Sequence, residues 1–262
     1  MSADPADSAD SAGHPDAPPP AASHPPRPWS LDVLTLFPDW FDWLVASRPV
    51  RNVIDRSALQ LGVHDMRVHS PLKHRQVDDT PYGGGAGMVL RIDVVVAALE
   101  AIYDASLDQI RAARRIVLLT PAGRQFDDSM ATTWSVEQRP TTILCGRYEG
   151  FDHRIHEQVA TEEISIGPYV LSGGEPAAMA MLDATIRKLP GALGNEASLT
   201  DETFSERLGG GSEYPHYTRP AEFRGWAIPS ILAGGHHAEI DAWRQEQSRL
   251  RGRPSHRGEP GS

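Results

Sequence analysis

Between residues 29 and 193 the apolar positions fall into two alternating kinds of segment. "WSLDVLTLF" (29–37), "RIVLLT" (115–120) and "TTILC" (141–145) are compact apolar runs of strand length, the pattern of strands covered on both faces. "LQLGVHDMRV" (59–68) alternates apolar and polar positions, and "EEISIG" (162–167) reads as a further strand. Between them, "PDWFDWLVAS" (38–47), "RIDVVVAALEAIYDA" (91–105), "DDSMATTWSVE" (127–137), "FDHRIHEQV" (151–159) and "EPAAMAMLDATIRKL" (175–189) predict helices. Pro38 suits a first helical turn, and an aspartate opens the third of these helices. Alternating strands and helices imply an α/β domain around a mainly parallel sheet, bounded at 29–193.

Residues 1–28 are almost all Ala, Pro, Asp, Ser and His and offer little to bury, so they read as a disordered tail. After the stop at Pro190 and Gly191, residues 194–214 are polar, Gly-rich and aperiodic, too long for an idle loop. They read as a flexible linker between domains or a functional segment. Residues 215–262 read as a small helical unit whose last helix starts near His237. Most of its aromatics, Tyr217, Phe223, Trp226 and Trp243, are expected in its core, since so small a unit has little else to bury.

Composition narrows the class. With 40% hydrophobic and 23% charged residues in 262, the chain has the make-up of a soluble globular protein. A net charge of −10 argues against indiscriminate coating of nucleic acid, although Arg244, Arg249, Arg251, Arg253 and Arg257 gather near the end. Cys145 is the single cysteine, which excludes an intrachain disulfide and a thiolate metal cluster, and it is expected to pack in a strand. No apolar run reaches the roughly 18 residues a membrane helix needs, and the N-terminus lacks signal-peptide features, so no membrane association and a cytoplasmic location are expected.

Three glycine-bearing turns stand at strand ends or in long loops: "TPYGGGAGM" (80–88), "CGRYEG" (145–150) and "IGPYVLSGGE" (166–175). None continues into the Lys-Ser/Thr of a phosphate loop, and no G-x-G-x-x-G opens a helix. Any one alone would be a tight turn. Three together, with charged and aromatic inserts, point to a ligand site at the carboxyl ends of the strands.

These segments, with "LDVLTLFPDWF", "LLTPAGRQFD", "GALGNEAS" and "YPHYTRPAEFRGWAIPSILAGGHHAEIDAWR", resemble the bacterial tRNA (guanine-N1)-methyltransferases, the TrmD family, over nearly the whole chain beyond residue 30. The resemblance implies an α/β fold of the SPOUT class with a deep trefoil knot, a small C-terminal tRNA-binding domain, and a homodimer with active sites at the subunit interface. It implies methylation of N1 of guanine 37 in tRNA, with S-adenosyl-L-methionine as donor and Mg²⁺ needed for activity. The donor would be held near Pro121, at Gly146, Tyr148 and Glu149, and along Ser165, Ile166, Gly167, Pro168, Tyr169, Val170, Leu171, Gly173 and Gly174. Pro168 stands where relatives usually carry Asp, which removes a carboxylate and a backbone donor.

Guanine N1 is protonated at neutral pH and needs a general base, while O6 gains negative charge as the proton leaves and benefits from a cation. By resemblance the base lies in the linker at Glu202, where relatives have Asp, with Asp201 as fallback. Arg187 matches the family's catalytic arginine. Arg147 and Arg219 are further candidates for substrate or phosphate. His216 is expected to make a structural hydrogen bond, and no metal-ligand spacing is present. The alternatives are a SPOUT RNA methyltransferase of different specificity and a catalytically inactive tRNA-binding relative, the latter suggested by Pro168 and the Asp201–Glu202 variation.

Overall fold

The computed structural model describes residues 27–194, 202–209 and 211–252. The expected tail lies almost wholly outside them, as does Asp201. In chain order the elements are β1 (Trp29–Thr35), a 3-10 turn (Pro38–Phe41), α1 (Asp42–Ala46), α2 (Arg48–Asp55), β2 (Leu59–Asp65), β3 (Asp78–Asp79), β4 (Val89–Leu90), α3 (Ile92–Tyr103) and α4 (Leu107–Ala113). Then come β5 (Arg115–Gln125), α5 (Asp128–Glu137), β6 (Thr141–Leu144), α6 (His153–Gln158), β7 (Glu162–Ser165) and α7 (Glu175–Ile186). The C-terminal part holds β8 (Glu222–Phe223), β9 (Trp226–Ala227) and α8 (His237–Arg251).

Five strands form one parallel sheet in the order β2-β1-β6-β5-β7. Side chains alternate across it. Leu31, Val33, Val117, Ile143 and Ile164 pack on one face with α2, α5 and α7, while Leu34, Ile116, Leu118 and Leu144 pack on the other with α3, α4 and α6. Both faces are therefore covered, which is why these strands read as unbroken apolar runs. At roughly 1.5–3 kcal/mol per fully buried aliphatic side chain, these layers supply the main favourable term in folding.

Three elements depart from the pattern reading. The strand over 59–68 ends at Asp65, because the Asp65 carboxylate accepts from Arg67 N and turns Met66–His69 into a 3-10 segment. Helix α2 was hidden by its charge, burying only Val50 and Val53. Helix α4 was legible: Ser106 and Gln109 form a capping box at its start.

Strand β5 runs beyond its apolar stretch. Leu119 and Arg124 both register with Ile164, so Thr120–Gly123 loop out between them. The return is tight, since a Cβ on Gly123 would lie 2.5 Å from Ile164 N.

In the C-terminal part the aromatics are not core. Phe223 is 52% and Trp226 72% exposed on the β8–β9 hairpin, Tyr217 is also exposed, and Trp243 is half-buried. The unit instead lays an extended segment along α8: Tyr214 is buried under Arg244, and Tyr217 sits beside Trp243 with ring centroids 6.4 Å apart.

Candidate active site

The looped-out part of β5 and the loops that follow β6 and β7 enclose a cleft of about 350 Å³. Pro121 comes from the looped-out part of β5. Gly146, Tyr148 and Glu149 follow β6, and Ser165, Ile166, Gly167, Tyr169, Val170, Leu171, Gly173 and Gly174 follow β7. All of these predicted residues line the cleft; Pro168 is not among its lining residues. Its size falls within the range of small-molecule sites, and its placement is that expected of an open α/β sheet.

The loops hold one another. Arg147 and Gly173 form an antiparallel bridge, and Gly174 N donates to Gly146 O at 2.9 Å. Gly174 passes directly over the end of β6: a Cβ there would lie 2.8 Å from the Cα of Cys145. Within the 166–174 segment, Tyr169 OH donates to Ile166 O, and Tyr169 N to Gly167 O. Ser165, buried at the strand end, hydrogen-bonds Gly167.

Tyr148 takes a left-handed φ of 59°, an uncommon state for a non-glycine residue, in the turn that ends at Gly150. Glu149 N donates to Met88 O, and Leu90 N to Gly150 O. These bonds draw the 80–88 glycine loop over the β6 loop, where a Cβ on Gly87 would meet Glu149 Oε1 at 2.2 Å.

Arg147, a candidate for substrate or phosphate, is among the residues that line the cleft, and it also has internal partners. Its Nε donates to Glu175 Oε2 at 3.1 Å, its Nη1 donates to Ser172 O, and its guanidinium lies over Phe37 and Trp40. Glu175, the first residue of α7, has no exposed surface and also accepts from Thr35 Oγ1 at 2.8 Å. The Arg147–Glu175 pair thus places charge compensation at the root of the loops. Cys145 lies just below, fully buried as expected; burial, aided by the Glu175 charge, pushes its thiol pKa well up. His156, which the sequence reading did not single out, also lines the cleft, its ring oriented by Nδ1 at 3.1 Å from Glu163 Oε1.

The other predicted residues gather elsewhere. Arg187 caps the C-terminal end of α7, and its Nη1 lies 2.8 Å from Oε1 and 2.7 Å from Oε2 of Glu202. The two candidates, assigned by resemblance from separate parts of the chain, thus form one ion pair. Arg219 is exposed and does not line the cleft. His216 makes the expected hydrogen bond, with Nε2 2.7 Å from Glu213 Oε1. Among the described residues no three His, Cys, Asp or Glu side chains assemble a metal site, and no helix is long and apolar enough to cross a membrane.

Comparison with known proteins identifies the family. The family profile described as tRNA (Guanine-1)-methyltransferase TrmD matches residues 29–257. A tRNA (guanine-N(1)-)-methyltransferase of Exiguobacterium sibiricum is 48% identical over 219 residues, covering 84% of this chain and 86% of that protein. Proteins of the same description from Dehalococcoides mccartyi and Geobacter metallireducens are 45% and 43% identical, over 83% and 86% of this chain and 85% and 89% of their own lengths. By sequence over nearly its whole described length, the chain belongs to the tRNA (guanine-1)-methyltransferase TrmD family.

Proposed function

We propose that this protein methylates N1 of guanine 37 in tRNA, beside the anticodon, using S-adenosyl-L-methionine, as a cytoplasmic homodimer. The observation that carries the reading is the pairing of Arg187 with Glu202 in a chain that also builds a donor-sized cleft. A base and a cation held together are what removal of the N1 proton and stabilisation of O6 require.

The cleft fits the donor chemically. Ile166, Val170 and Leu171 offer apolar surface, Tyr169 a ring, and the backbone of 165–174 polar groups for an adenosine moiety. S-adenosylmethionine supplies an electrophilic methyl group on sulfonium sulfur. Glu202 takes the proton from N1, and Arg187 balances the charge that then gathers on O6. With N1 deprotonated, its lone pair would be free to accept the methyl group that a bound donor supplies, the donor leaving as a neutral thioether. No side chain is covalently modified. The described residues offer no cluster that fits Mg²⁺, so no step is assigned to it.

Helix geometry supports a site shared between two subunits. The cleft meets α7 at its first turn, whereas Arg187 caps the opposite end. Twelve residues at 1.5 Å each put about 18 Å of helix axis between them, while methyl transfer needs reacting atoms about 3–3.5 Å apart. A second copy placing its Arg187–Glu202 pair at this chain's cleft closes that gap. Trp40 and Trp43, exposed three residues apart, supply aromatic surface suited to such an interface.

We also take the strand-end loops to be the trefoil knot of the SPOUT class. The loop-out at Thr120–Gly123 and the passage of Gly174 over Cys145 are the close chain crossings such a knot needs. Residues 29–193 would then be the donor-binding domain, 194–214 the linker bearing the base, and 215–262 a tRNA-binding domain with Phe223 and Trp226 available for base stacking. The test is methyl incorporation into unmodified tRNA with guanine at 36 and 37, mapped by position. Donor binding without incorporation would leave only a tRNA-binding relative, and incorporation elsewhere a different specificity.

A further inference from the structure

The segment that carries Glu202 is a closed loop rather than a free strand. Ser205 N donates to Glu202 O, Leu208 N to Ser205 O and Gly211 N to Leu208 O. The two sides of the loop then meet: Phe204 N donates to Gly211 O at 3.0 Å, and Glu213 N donates to Thr203 Oγ1 at 3.0 Å. Glu202 therefore sits at the neck, beside the residue whose hydroxyl closes the loop.

The returning side of this loop is fastened to α8. Ser248, the buried residue of that helix and close to its C-terminal end, donates its hydroxyl to Ser212 O at 2.6 Å, and Ser212 N donates to Gly252 O at 3.1 Å. Gly211 packs against the same hydroxyl: a Cβ on it would lie 3.9 Å from Ser248 Oγ. A serine buried inside a helix ordinarily bonds its own helix backbone. Here it bonds the other segment.

We propose that Ser248 is a positioning residue for methyl transfer, acting through Ser212, Glu213 and Thr203 to fix where the Glu202 carboxylate stands. This rests on the reading of Glu202 as the base. The returning side of the loop, 211–213, is fastened to α8 by these bonds, and Thr203 Oγ1 joins it to the peptide beside Glu202. The basic residues Arg244, Arg249 and Arg251 lie on the same helix, so a helix suited to meeting RNA phosphate also sets the position of the base. Loss of the Ser248 hydroxyl leaves Ser212 O without its side-chain donor and frees the loop to shift. A displacement near 1 Å at a reacting group costs up to about a hundredfold in rate.

The test is single-turnover methyl transfer with saturating donor and tRNA, run on the full chain as Ser248→Ala, Thr203→Val, Thr203→Ser and Glu202→Gln. Ser248→Ala and Thr203→Val are expected to slow the chemical step on the order of tenfold, with donor and tRNA dissociation constants within about twofold of wild type. Thr203→Ser, which keeps the accepting oxygen, retains most of the rate. Together, Ser248→Ala and Thr203→Val should cost little more than either alone, because they break one chain of contacts. Wild-type rates for both single variants, or losses of rate matched by equal losses of binding, overturn the proposal. If Glu202→Gln keeps the wild-type rate, the base assignment itself fails; if it abolishes transfer while Ser248→Ala does not slow it, only the positioning role fails.

Discussion

Arg187 meets Glu202 through a single guanidinium nitrogen that touches both carboxylate oxygens, at 2.8 and 2.7 Å. The remaining guanidinium donors are not engaged with Glu202, which leaves the arginine able to address a second acceptor while it holds the first. Guanine O6 and N1 are adjacent, so in the proposed reaction one such pair would reach both.

Glu202→Gln is expected to lower the methyl-transfer rate by about 10²–10⁴-fold, the usual weight of a general base, with donor affinity nearly unchanged. Arg187→Ala should cost about 10²–10³-fold, as for loss of one electrostatic donor. Rapid-quench kinetics and donor titration measure both. Loss of turnover in Asp201→Asn with retention in Glu202→Gln would move the base by one residue.

A site shared between two subunits, as proposed above, predicts complementation. A chain with a blocked cleft, such as Gly174→Val, mixed with a Glu202→Gln chain should form heterodimers with one working site. After random exchange at equal amounts, about a quarter of wild-type activity should appear from two inactive parents. A mixture as inactive as its parents would place cleft and base in the same chain's site.

Arg147 and Glu175 tie the two donor loops to α7, so breaking the pair should undo the cleft before it undoes the sheet. Removing one partner of a buried ion pair typically costs about 3–5 kcal/mol. Arg147→Ala is expected to lower the midpoint of urea unfolding and to weaken donor binding more than Arg187→Ala does. Calorimetric titration against S-adenosylmethionine separates the two effects.

Acid stability should depend on Asp32. Burial alone would raise its pKa, but the hydrogen bond to His64, the Arg114 charge and the Ser30 hydroxyl together hold it below the ordinary value. A carboxylate with a lowered folded pKa contributes stability that is complete above the unfolded pKa, about 3.9, and is lost as pH falls through the folded one. The gap in unfolding free energy between wild type and Asp32→Asn should therefore narrow on acidification below about pH 4. A gap constant from pH 6 to 3 would remove Asp32 from the account.

Much of this was legible in the residues themselves. The apolar runs at 29–37, 115–120 and 141–145 became central strands because parallel strands leave no polar face to disguise them. Two of the three glycine loops, 145–150 and 166–175, line the cleft, because each directly follows a strand of the sheet; 80–88 does not line it. What stayed hidden was non-local. Nothing in "CGRYEG" tells that Arg147 turns inward to Glu175, twenty-eight residues away. The aromatics near 217–226 read as core because burial was inferred from a small unit's needs, yet α8 with Tyr214 leaves them outside. The pairing of Arg187 with Glu202 required the resemblance to suggest the residues and the fold to join them.

Cys145 gives the molecule a built-in clock. As the one thiol in the chain, fully buried in the core layer that packs Ala178 and Met181 of α7 on the sheet, it reacts with an alkylating reagent only when that packing opens. The speed of labelling is then a measure of how often the core opens there, read from a single atom without any engineered probe.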